Sequence, residues 1–60
     1  MTTKWAYGVT YRRKGESTSR QHRRVVVAEN ADDARRVVAA IDPAFLATVK
    51  SPKRGAEVKA

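Results

Sequence analysis

The sixty-residue chain contains no cysteine, which excludes disulfides and thiolate zinc sites and fits a reducing compartment. Histidine occurs once, at His22, so no histidine-based metal site or nucleophile–His–acid triad can be assembled within one chain. Long apolar runs are missing as well. No stretch approaches the ~18 residues that cross a bilayer, and Lys4 is not followed by the ~7–15 apolar residues of a signal peptide. The expectation is a cytoplasmic protein with no membrane role. Gly8 and Gly15 make no phosphate-cradling motif. Asp32 and Asp33 diverge by about 100° on a helix, and serve its first turn better than they would serve as a catalytic pair. Neither an enzyme nor a cofactor is expected.

What the chain has in abundance is positive charge, +7 at neutral pH. It is unevenly spread. Residues 1–28 hold seven Lys and Arg against Glu16 alone, a net of +6, whereas residues 29–47 have a net of −2 and the remainder +3. Such a field is an argument about partners and solubility, not about fold.

Residues 4–12 alternate cleanly, with Trp5, Tyr7, Val9 and Tyr11 on one face and Ala6, Gly8 and Thr10 on the other. This period-2 pattern predicts a strand, and Gly8 on the second face leaves room for a close approach. Residues 13–20 lack large apolar side chains. Gly15 can take positive φ there, and the Ser/Thr cluster favours a turn. Residues 21–28 return as a second strand, completing an antiparallel hairpin. Three consecutive valines satisfy two registers, with either Val25 and Val27 or Val26 and Ala28 facing the core.

Asn30 is a favoured N-cap, and Asp32 and Asp33 follow where the helix dipole favours negative charge. Ala31, Ala34, Val37, Val38 and Ile41 then recur at spacings of three and four, and Asp32 and Arg36 stand four apart in the favourable order. Asp42-Pro43 ends the helix. Phe45 to Lys50 reads as a third strand; alternatively Asp42-Pro43 caps one further helical turn before it. Residues 51–60, with Pro52, Gly55 and several charges, read as a mobile basic tail. The whole is one α+β module over 1–50, a small antiparallel sheet in the order β-β-α-β with one helix on one face. A core this small stabilises by roughly 3–5 kcal/mol, which favours a homodimer.

The candidate binding residues crowd the hairpin: Arg12, Arg13, Lys14 and Arg20 at the turn, and Arg23 and Arg24 on the returning strand. Their mutual repulsion gives no folding benefit, and phosphate would relieve it through charge-assisted hydrogen bonds and counterion release. A two-stranded ribbon fits the DNA major groove, where Arg reads guanine edges. The alternative is a solvated basic surface. Trp5, Tyr7 and Tyr11 are either core beneath the helix or a base-stacking platform. Tyr11, nearest the polar turn, is the most exposed of the three in this reading and joins the candidate nucleic-acid contacts. His22, between Gln21 and Arg23, reads as an exposed strand residue. Binding of duplex DNA or RNA is thus the leading expectation. A protein-interaction module of accessory or phage type, acting through a sheet edge or apolar face, is the alternative.

Overall fold

The computed structural model describes residues 2–17 and 19–59; Thr18 of the expected turn and Ala60 of the expected tail lie outside them. Five elements follow in the order β1 (Lys4–Arg13), β2 (His22–Ala28), α1 (Ala31–Ile41), β3 (Phe45–Thr48) and β4 (Lys53–Val58). The α+β class, the hairpin, and the helix followed by a further strand are as the sequence predicts.

β1 is the centre of the sheet. It pairs antiparallel with β2 from Trp5↔Ala28 to Tyr11↔His22 along one edge. Along the other edge it pairs β3 at its C-terminal end (Tyr11↔Thr48 to Arg13↔Phe45) and β4 at its N-terminal end (Lys4↔Val58 to Gly8↔Lys53). β3 and β4 therefore lie end to end along one side of a single strand, joined by a bend in which Val49 N–H donates to Thr10 O at 2.9 Å.

Opposed residues of an antiparallel pair share a face, so Tyr7↔Val26 and Trp5↔Ala28 resolve the valine ambiguity: Val26 and Ala28 face the helix, and Val25 and Val27 face away. The core is Tyr7, Val9, Tyr11, Val26, Ala28, Ala34 and Val38, with Trp5, Ala31, Val37 and Phe45 against its margin. Ile41, the last member of the helical stripe, is 49% exposed. Asn30 caps α1 by accepting from Asp33 N–H at 2.8 Å. Asp32 pairs with Arg35, at 2.7 Å, and not with Arg36; the i,i+3 partner reaches the same carboxylate. A bulge between Arg12 and Arg13 skips Leu46. Without it alternation would turn Phe45 away from the helix; with it the Phe45 ring sits 5.4 Å from that of Tyr11.

The expected tail is where the structure departs most from the sequence reading. Residues 53–58 form β4, which occupies an edge of β1 that would otherwise be open. Backbone pairing does not require apolar side chains, and the Arg54 guanidinium covers the Trp5 ring at 4.3 Å, as amphipathic side chains can. Gly55 is the residue that lets β4 approach: a Cβ there would meet Ala6 O at 2.7 Å. Gly→Ala ordinarily gains about 0.4–1 kcal/mol by restricting the unfolded chain, but overpacking against fixed backbone costs about 1–3 kcal/mol. The clash wins. Gly55→Ala is expected to free β4 while the hairpin and helix persist, seen as faster amide exchange confined to residues 53–58 and a changed Trp5 emission. Unchanged exchange in that segment would contradict the close approach.

Candidate nucleic-acid interface

The structure divides the seven candidate residues into three groups. Tyr11 leaves the set. It is 3% exposed, its ring packed 5.9 Å from His22 and 5.4 Å from Phe45, so it has no face free for a base. Its odd position in β1 places it under the helix; proximity to the turn does not expose it, because Asp42 closes over the end of the strand.

Arg13, Lys14, Arg20 and Arg24 lie at the turn or on the helix side. Arg13 is an internal ion-pair partner, with Nη1 3.1 Å from Glu16 Oε1 and Nε 3.0 Å from Asp42 Oδ2. Arg20 Nε lies 3.5 Å from Glu16 Oε2. Lys14 donates its backbone N–H to Ala44 O at 2.6 Å and keeps an exposed side chain. Arg24 is exposed opposite Val9, at the rim of a depression of about 320 Å³ shared with Arg13, His22 and Asp42. His22 is half-buried, not exposed as expected, with Nε2 2.6 Å from Glu16 Oε2. Glu16, the only acid of the first 28 residues, thus gathers Arg13, Arg20 and His22 and closes the turn, in which Gly15 has φ 85°.

The two carboxylates at this end are both shifted. The hydrogen bond from Tyr11 Oη, at 2.8 Å, holds Asp42 below its ordinary value, helped by Ala44 N–H and Arg13 and opposed by burial. The His22 contact does the same for Glu16, with Arg13 and Arg20 adding to it against burial. A group whose folded pKa is depressed stabilises the fold above its unfolded pKa, and that contribution disappears as pH falls through the folded value. The stability these two carboxylates contribute should therefore be constant above about pH 5.5 and decline below about pH 4.5. The double variant Asp42→Asn/Glu16→Gln should start lower and show a shallower acid decline, measured by melting across pH; an equally steep decline would refute the assignment.

Arg12 and Arg23 form the third group, on the face of the sheet turned away from α1. Alternation and register place Lys4, Ala6, Gly8, Thr10 and Arg12 of β1 there, with Arg23, Val25 and Val27 of β2 and Lys53 and Val58 of β4. Lys4, Arg12, Arg23 and Lys53 are all exposed. No Asp or Glu occupies a paired position on this face among the described residues, since Glu57 opposes Trp5 on the helix side. The floor is low. Gly8 has no side chain, and the Arg23 guanidinium lies across it, Nη2 3.2 Å from where a Cβ would stand. Ala6, Gly8, Arg23, Val25 and Lys53 border a shallow depression of about 310 Å³. Lys4 and Lys53 escape a reading of the hairpin alone. Lys4 follows from strand alternation, but Lys53 reaches Gly8 only through β4, for which the local sequence carries no apolar signal.

No protein family, curated protein or solved structure matches the chain.

Proposed function

We propose that this is a non-catalytic nucleic-acid-binding module that docks the helix-free face of its sheet against phosphate. One observation carries the reading: four cations, Lys4, Arg12, Arg23 and Lys53, share a face whose paired positions hold no carboxylate. Glu16 and Asp42 instead partner Arg13, and Asp32 partners Arg35. A like-charged face with a low floor suits a polyanion, because each phosphate contact releases condensed counterions and forms charge-assisted hydrogen bonds. The test is a fluorescence-anisotropy titration of labelled oligonucleotides at two salt concentrations. It compares the natural chain with an Arg12→Gln/Arg23→Gln/Lys53→Gln variant. Binding that ignores salt, or that survives the triple replacement unchanged, would overturn the proposal.

A second reading rests on β2, which pairs with β1 along one edge and presents Val25 and Val27 to solvent. An edge strand of this kind can add a strand from a protein partner or a second copy. Salt-independent dimerisation, seen by sedimentation together with an absence of nucleic-acid binding, would favour it.

A further inference from the structure

We propose that the helix-free face is fitted to the major groove of B-form duplex DNA, with Val25 and Val27 seated against thymine methyl groups. The inference rests on the nucleic-acid reading above and narrows it to one form of nucleic acid and one feature of its bases.

The first argument is where the aromatic rings lie. Trp5, Tyr7, Tyr11 and Phe45 all pack in or against the core beneath the helix, and Trp5 is further covered by Arg54. The paired positions of the helix-free face contain no ring among the described residues. Proteins that hold single strands stack bases on such rings, each stack contributing about 1–3 kcal/mol, and recognition of single-stranded RNA relies on the same device. This face has cations without a stacking platform, which suits a duplex whose bases stay stacked on one another.

The second argument is the two valines. Val25 is 63% and Val27 48% exposed, on a face that otherwise holds cations, small residues and, on β4, Val58. Val26 and Ala28 supply the β2 contribution to the core, so the fold does not require Val25 and Val27 to be apolar. Between phosphates and base edges, the apolar group within reach of a protein in the major groove is the thymine C5-methyl. A-form RNA offers neither an open major groove nor that methyl.

The third argument is spacing. Side chains on one face of a strand recur every ~6.6–6.8 Å, and base pairs stack about 3.4 Å apart. With β2 lying along the groove, Val27, Val25 and Arg23 meet the DNA at intervals of two base pairs. Their row rises above the floor of Ala6 and Gly8. Lys4, Arg12 and Lys53 lie on the flank towards β3 and β4, placed for phosphate.

The experiment measures binding of five labelled ligands at two salt concentrations: an A·T-rich DNA duplex, the same duplex with every thymine replaced by uracil, a G·C duplex, the single strand, and the equivalent RNA duplex. The thymine duplex should bind about 4–15-fold more tightly than its uracil counterpart, the loss expected from uncovering one or two methyl groups. Val25→Ser/Val27→Ser, which removes every γ-methyl group at these exposed positions, should bring that ratio close to one while leaving the salt dependence intact. Equal affinity for thymine and uracil duplexes with salt-dependent binding retained would overturn this inference and leave the broader reading standing. Preference for single strands or RNA, a ratio that survives the valine replacements, or a dimer lost on those replacements with the ratio unaltered would each overturn it too. Failure to bind any of the five would remove both readings.

Discussion

Val9→Ala is expected to lower stability by about 2–3 kcal/mol and the Tm by roughly 10–20 °C. Val9 is wholly buried on the central strand. Its backbone is fixed by β2 on one side and by the Val49–Thr10 hydrogen bond beside it on the other, so the sheet cannot close over the space two missing methyl groups leave. The transfer term alone is about 0.8 kcal/mol per carbon, the residual cavity adds to it, and alanine is a poorer strand former than valine. Val38, equally buried on α1, is the informative control. Val38→Ala removes the same atoms, but alanine is the best helix former and returns roughly half a kcal/mol, so its cost should be smaller. In a domain that holds about 3–5 kcal/mol in total, Val9→Ala leaves an unfolded fraction visible at room temperature. Melting and urea unfolding followed by circular dichroism measure both variants. A loss under about 4 °C for Val9→Ala, or a larger loss for Val38→Ala, would mean that the core is organised differently.

The Arg12→Gln/Arg23→Gln/Lys53→Gln variant should lose roughly 100-fold or more in nucleic-acid affinity near 0.1 M salt. Each phosphate contact contributes about 0.9 to the slope of log affinity against log salt, so removing three should flatten the slope by about 2–3. The three side chains are exposed and make no ion pair among the described residues, so the fold should tolerate their replacement. Arg13→Gln separates binding from charge in general. It removes one positive charge, but one engaged by Glu16 and Asp42, so it should lower the Tm while changing the salt slope by well under one unit. A slope that tracks net charge whichever residues are replaced would show the contact to be diffuse.

The elements with a strong local signal were legible in the sequence. The period-2 run of Trp5, Tyr7, Val9 and Tyr11 defined β1, and Asn30 with Asp32 and Asp33 marked the start of α1. The Val25–Val27 register was not, because it depends on which valine meets Tyr7 across the hairpin. Nor was β4, since Lys53, Arg54 and Glu57 look like tail residues until β1 offers them an edge. The cationic character of the hairpin was readable, but its sorting was not. Arg12 and Arg13 are neighbours in sequence and point to opposite faces, one to solvent and the other to Glu16 and Asp42. Tyr11 shows the limit from the other direction: closeness to a polar turn says nothing about burial once a residue 31 positions away caps the strand end.

Every other strand of the sheet hydrogen-bonds to β1, and among the described residues β2, β3 and β4 make no ladder with one another. The molecule therefore opens as three separable leaves on one spine. β4, with all six residues exposed, can peel away without disturbing β2, so its detachment is a low-energy excursion and separation of β1 from β2 a near-global one. Lys53 travels with the loosest leaf and Arg23 with the tightest. The cationic helix-free face is thus made of a rigid half and a hinged half, and anything held by both ties β4 down.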